Sequence, residues 1–317
     1  MAVTRPNALK NAAALKQYCN GVNLLKNEFT GPTTQSLRIP GPSQKVSTYD
    51  LFVCWHVIAM MTMTPANQMQ RNAAHSGPVF LPWHRFMLRQ LELNLQRVLS
   101  DANFGLPYWD WAADGQLPQD QQRQSALWGA DGLGGSGSPV KTGPFVFKAA
   151  DATSFRVRID TDSNGMLRQT NRGLNRAVGE EQDVPTLPTK ADTAAAVATT
   201  PYDASPWNQN SKSFRNRVEG WSPYGMHNQV HVWVGGDMLP ASSPNDPVFF
   251  LNHCNVDRVW EAWMQKHGRV YVPDQTAPAS LKGHRIKDSL SSLISAPTTP
   301  SAVLDLTSQY VYDSVAV

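Results

Sequence analysis

Apolar residues recur at helical spacing over Asn7 to Phe29, where Leu9, Ala12, Leu15, Cys19, Val22 and Leu25 share one face, so this stretch predicts a helix. A Pro/Gly-rich loop follows from Gly31 to Pro42. Ser47 and Asp50 then form a capping-box signature ahead of the apolar run Leu51 to Met61, which predicts a second helix. Pro82 suits the first turn of a third, whose Phe86, Leu91, Leu95, Val98 and Leu99 would face a core. The aromatic run Leu106 to Trp111 is expected to turn and pack.

From Ala112 to Trp207 the chain is rich in Gly, Pro, Ser, Thr and Asp, which reads as long loops with a few short strands. A short helix is expected over Tyr224 to Val232, stopping near Gly235-Gly236. Asp246-Pro247 opens another, running through Phe249, Phe250, Val256, Val259, Trp260 and Trp263 to Gly268. The tail from Val270 reads as loops and short strands ending at Tyr310-Val311-Tyr312. The pattern contains neither repeats nor heptads. It predicts a mainly α protein, a helical bundle with loop and strand elaborations, forming one domain over residues 1–317.

Composition narrows the function classes. With 41% hydrophobic and 17% charged residues, 317 residues can bury a large core. The net charge is +3 and the basic residues are dispersed, which argues against nucleic acid as a partner. No stretch approaches the roughly 20 apolar residues that cross a bilayer. Met1 to Lys16 carries neither an apolar signal core nor a twin-arginine pair, so a cytoplasmic location is expected. Cys19, Cys54 and Cys254 make no disulfide framework; they read as buried thiols, with Cys54 and Cys254 packing near a candidate metal site.

The chemistry is concentrated in the eight histidines. His227 and His231 are four apart, so on a helix their rings lie one turn apart on the same face. His253 sits among Phe249, Phe250 and Leu251, where an unpaired imidazole would cost roughly 1–3 kcal/mol. A metal shared by these three would supply the partner. His56 lies inside the run Leu51 to Met61, His84 in the first turn opened by Pro82, and His75 before a Gly-Pro loop. These make a second set of three nitrogens. An all-imidazole donor set suits copper, zinc, iron or nickel and disfavours magnesium, manganese and carboxylate-bridged di-iron. HExxH is absent, and no cysteine cluster has the spacing of structural zinc. The competing reading is six unrelated packed histidines.

Three segments, in order, resemble the type-3 copper proteins, the bacterial tyrosinases most closely. They are His75-Ser76-Gly77-Pro78-Val79-Phe80-Leu81-Pro82-Trp83-His84-Arg85, with Pro107 to Trp111 downstream; His227 to Gly236; and Asn245 to His253 continuing to Asp257-Arg258-Val259-Trp260. The resemblance implies a four-helix bundle around two copper ions with O2 as co-substrate. His56, His75 and His84 would bind the first copper, and His227, His231 and His253 the second. It further implies that Glu219 and Asn228 hold a water able to accept a substrate proton. Tyr310 to Tyr312 resembles the tyrosine motif that closes the family's core, and Asp257 or Asp110 would pair with Arg258. The shielding C-terminal domain of plant and fungal relatives is expected to be absent. Ala73 stands where those relatives carry a thioether cysteine.

One departure bears on substrate. Tyrosinases have a His-His pair where this chain has Asn252-His253. Adjacent helical residues point about 100° apart, so Asn252 should miss the copper held by His253 and face the substrate space or the groups behind the ligands. This makes the chain resemble the tyrosinase-like o-aminophenol oxidases of actinobacterial secondary metabolism. The expected activity is therefore oxidation of o-aminophenols and catechols to o-quinone imines and o-quinones. The alternatives are a tyrosinase that also hydroxylates monophenols, an O2 carrier like hemocyanin, and a zinc hydrolase. A small copper-delivery (caddie-like) protein is the expected partner. Trp55, Phe249 and Phe250 are expected to be core walls, and Val232 to keep one side of the pocket mouth apolar.

Overall fold

The computed structural model describes residues 2–221, 223 and 225–317. Val3–Arg5 forms strand β1, and helix α1 spans Ala12–Lys26. α1 is shorter than the expected Asn7 to Phe29. Asn7 bends the chain by accepting the Leu9 N–H, and Asn11 caps the helix by accepting from Ala14 N–H. Helix α2 spans Thr48–Met61 and begins as the capping signature predicts: Ser47 Oγ accepts the Asp50 N–H and donates to the Asp50 carboxylate. Helix α3 spans Phe80–Leu99, with Pro82 in its first turn, and ends where Ser100 turns left-handed at φ 54°.

The stretch after α3 holds more structure than its composition suggests. Two single-turn helices, α4 (Trp111–Asp114) and α5 (Gln119–Gln122), precede an antiparallel hairpin of β2 (Val157–Thr161) and β3 (Leu167–Arg172). Helix α6 (Lys190–Ala198) was not expected, although a reciprocal Thr189–Asp192 capping box starts it. Helix α7 (Phe214–Glu219), capped by Ser213, is too short for periodicity to reveal. Helix α8 runs over Met226–Val234; the Tyr224 start expected for it lies outside the described residues. Helix α9 spans Val248–His267 and stops at Gly268, whose φ of +88° is left-handed. Strand β4, Tyr310–Tyr312, pairs in parallel with β1.

α3 packs on α9, α8 on α9, and α1 against both α2 and α3. One continuous apolar cluster extends from Val3 to Tyr312. No helix among the described residues is long and apolar enough to cross a membrane. Cys54 and Cys254 are buried and free. Cys54 joins Ile39, Val46, Leu51 and Val57 in a separate small cluster, and the Cys254 thiol faces the Leu106 carbonyl and the Tyr312 hydroxyl.

Asp257 on α9 joins the termini to the bundle. It accepts from Arg85 Nε at 2.5 Å, Arg5 Nη1 at 3.2 Å, Tyr310 OH at 2.7 Å and Tyr312 OH at 2.5 Å. Arg5 also reaches both oxygens of Glu92 on α3, and all four of these charged groups are buried. Arg258 pairs with Asp110 at 3.2 Å, so Asp257 is left to Arg85 and Arg5. Burial opposes ionisation of Asp257, but the two guanidiniums outweigh it and hold the carboxyl below the usual range. Removing the carboxylate leaves Arg5 with Glu92 alone and Arg85 with Glu261 alone, two buried cations each short of a counter-charge. Asp257→Ala is therefore expected to destabilise the fold by about 3–5 kcal/mol, read as a lower urea midpoint of unfolding; a midpoint equal to the parent's would contradict this assignment.

Candidate metal centre

Four helices and one loop bring the six histidines together. α2 supplies His56, α3 His84, α8 His227 and His231, and α9 His253, while His75 comes from the loop before α3. The loop is held locally: Asn72 Oδ1 accepts the N–H of Ala74 at 3.0 Å and of His75 at 2.7 Å. Ser76 follows in the left-handed region at φ 60°, and its N–H donates to Glu219 Oε1 at 2.6 Å. At Gly77 a Cβ would lie 2.8 Å from the His284 ring and 2.9 Å from Arg71, so only glycine fits.

The rings form two triads, His56/His75/His84 and His227/His231/His253. Within each, one candidate ligand atom per residue lies within 4.8 Å of the others. His84 and His253 stack at 4.1 Å between ring centres and join the triads back to back. His227 Nε2 and His253 Nε2 are 3.1 Å apart.

Main-chain carbonyls set the tautomers. Nδ1 of His56 donates to Ala241 O at 2.6 Å, that of His84 to Phe80 O at 2.8 Å, and that of His231 to Met238 O at 2.7 Å. With the proton on Nδ1, Nε2 presents its lone pair inward. In all three rings that buried Nε2 has no hydrogen-bond partner, and Nδ1 of His75 and of His253 has none either. His227 is oriented from behind by Glu219 O at 3.2 Å and Asn228 Oδ1 at 3.0 Å. Five buried nitrogens left unpaired, three in the first triad and two in the second, are costly without a cation and well placed with one. Among the described residues no carboxylate or thiolate enters either group, so the donor set fits copper.

Burial and then the neighbouring imidazoles push the ring pKa values far down. His56 falls to about 3 and, chiefly through burial, His231 to about 4, while His75, His84, His227 and His253 lie well below the ordinary value. All six rings are therefore neutral at physiological pH.

His56, His75, His227 and His231 open on a cavity of about 410 Å3. Met60, Trp221, Val232, Leu239 and Pro240 give it an apolar wall, and Asn72, Ser76, Asn228 and Ser243 add polar groups. Trp55, Phe249 and Phe250 are buried and outside this lining. Phe249 instead packs between the triads, 4.1 Å from His253 and 5.0 Å from His56. Glu219 is fully buried beside the cavity. Burial pushes its carboxyl up, while Arg215 at 2.9 Å, the Ser76 N–H and the Trp221 indole act to lower it. Asn252 is fully buried, does not line the cavity, and both atoms of its amide lack a hydrogen-bond partner.

The sequence reading missed Asn72, Met60, Trp221 and the Met238 to Ala241 stretch. Long-range packing alone makes them neighbours of the histidines, and no local pattern marks them.

Two all-imidazole triads sharing one cavity define a dinuclear metal protein. Residues 46–266 match the common central domain of tyrosinase. The chain is 38% identical to the tyrosinase of Streptomyces antibioticus over 275 residues, covering 85% of this chain and 90% of that protein. It is 36% identical to grixazone synthase of Streptomyces griseus, covering 92% and 99%. Among solved structures, polyphenol oxidase of Thermothelomyces thermophila superposes with a TM-score of 0.71 at 22% identity, covering 98% and 88%. The chain belongs to the tyrosinase family of type-3 dicopper oxidoreductases.

The depressed ring pKa values set the acid response of the metal-free protein. Unfolding returns each imidazole to an ordinary value near 6.5, so below that pH the unfolded chain binds more protons. Stability is thus retained above about pH 6.5 and falls as pH drops toward 4. The urea midpoint of metal-free protein should decline steeply between about pH 7 and pH 5; a flat profile would place these rings in water.

Proposed function

We propose that this protein oxidises o-aminophenols, and catechols as well, to o-quinone imines and o-quinones, with O2 as electron acceptor. In this reading His56, His75 and His84 hold one copper and His227, His231 and His253 the other. The carrying observation is the pair of imidazole triads around one cavity, with an unpaired buried ring nitrogen on every member but His227. Bound copper supplies the redox chemistry; the protein supplies open coordination, orientation and proton handling. Each substrate molecule gives up two electrons and two protons, so two substrate molecules reduce one O2 to two waters.

The cavity suits a single aromatic ring. Val232, Leu239 and Pro240 would flank the ring, and the ortho-substituted edge would point to His227 and His231. Glu219 and Asn228 would hold a water that accepts a substrate proton, using the lone pairs that Ser76 and Arg215 leave on the carboxylate. The preference for ortho-substituted substrates rests on the replacement at Asn252, whose amide lies outside the cavity lining. An amide is not a base near neutral pH, and an o-aminophenol or catechol needs electron removal only, whereas a monophenol must also be hydroxylated. The relative named grixazone synthase supports the same reading. Because the ligands are buried, delivery of copper by a small partner protein is part of the proposal.

A second reading, with monophenol hydroxylation, is favoured by Glu219 and Asn228 beside His227 and by the Streptomyces relatives named tyrosinase. Turnover of matched phenol, catechol and 2-aminophenol by copper-loaded protein separates the two. The expected kcat/KM for 2-aminophenol exceeds that for the phenol by about tenfold or more, and Asn252→His should narrow the gap. Preference for the phenol by the parent protein would overturn the substrate assignment.

A further inference from the structure

We infer that Glu219 is a positioning residue that couples the two triads, ordering the loop of His75 through its side chain and the ring of His227 through its main chain. The inference rests on the ligand assignment proposed above and assigns Glu219 a task separate from proton transfer.

Glu219 ends α7, and its two oxygen-bearing groups point to different metal sites. The carboxylate accepts the Ser76 N–H at 2.6 Å, one peptide from His75 in the first triad. The Glu219 carbonyl accepts from His227 Nδ1 at 3.2 Å in the second. The carboxylate cannot swing away, because Arg215 Nη1 holds its other oxygen at 2.9 Å. Arg215 is itself fixed by both oxygens of Asp203 and by Asn208 O, at 2.8 to 3.1 Å, and both charged partners are fully buried.

The Ser76 N–H needs such an anchor. His75 is the one candidate ligand carried by a loop, and Ser76 holds a left-handed backbone that a side chain disfavours. Asn72 fixes the loop before His75, the His284 ring and Arg71 close on Gly77 after it, and Glu219 fixes the peptide between. Loss of the Glu219 side chain therefore loosens one ligand of the first site. The second site keeps its contact, because the carbonyl that holds His227 survives any substitution.

Single-triad proteins test this. His253→Ala leaves a complete first triad and His75→Ala a complete second, and the Cu(I) affinity of each is read by competition with a chromophoric chelator. In the His253→Ala background, Glu219→Ala should weaken Cu(I) binding by about 10- to 100-fold. In the His75→Ala background it should leave affinity within about threefold. Glu219→Gln keeps an oxygen within reach of the Ser76 N–H and should restore most of the first-site affinity. Glu219→Met fills the same space without an acceptor and replaces the alanine variant if that fails to fold. Equal weakening in both backgrounds, no weakening in either, or a Gln variant as poor as Ala would overturn the inference. Failure of both parent single-triad proteins to bind one Cu(I) would overturn it together with the ligand assignment. The substrate preference is judged separately, by 2-aminophenol turnover.

Discussion

The structure depends on keeping six imidazoles neutral, buried and aimed inward. Each ring is polar and largely buried, and four of the six are held by an Nδ1–H bond to a main-chain carbonyl. Carbonyls are well suited to this task. They cannot take the proton, they are fixed by the fold, and they leave Nε2 as the free donor. Low dielectric surroundings then keep competing protons away. The cost of burying these rings is offset by the bundle around them and would be offset further by a bound cation.

Much of this was legible in the sequence because the signals are local. The four-residue spacing of His227 and His231, the Ser47 cap of α2, the Pro82 entry to α3 and the Gly268 stop of α9 each act within a turn or two of helix. The limits of α1 were overdrawn, since apolar periodicity continues past the point where Asn11 starts the helix. α6 was hidden by the loop-like composition around it, although its capping box was present. The groups behind the ligands were not legible. Ala241 meets His56 across 185 residues and Glu219 meets Ser76 across 143, and a single sequence carries no mark of either pairing.

Outside the metal centre, charge does the tying that disulfides do in other chains. Arg5, Arg85, Glu92 and Asp257 are buried, and with the hydroxyls of Tyr310 and Tyr312 they fasten both ends of the chain to α3 and α9. Such a hub adds less net stability than its many bonds suggest, because four charges are desolvated to make it. It does specify which partners meet. β1 and β4 are three residues each, too short to choose a register by themselves, and Arg5 opposite Tyr312 fixes one.

The tetrapeptide Met238-Leu239-Pro240-Ala241 serves both the metal shells and the pocket. Its two end carbonyls orient His231 and His56, one ring from each triad, and its two middle residues form part of the cavity wall. Side chains at 239 and 240 can therefore be exchanged to reshape the wall while the backbone stays where both rings need it. An inserted or deleted residue in this stretch would misdirect a ring in each triad at once. Diversification of this scaffold toward new aromatic compounds is thereby channelled into point replacement here and away from changes of loop length.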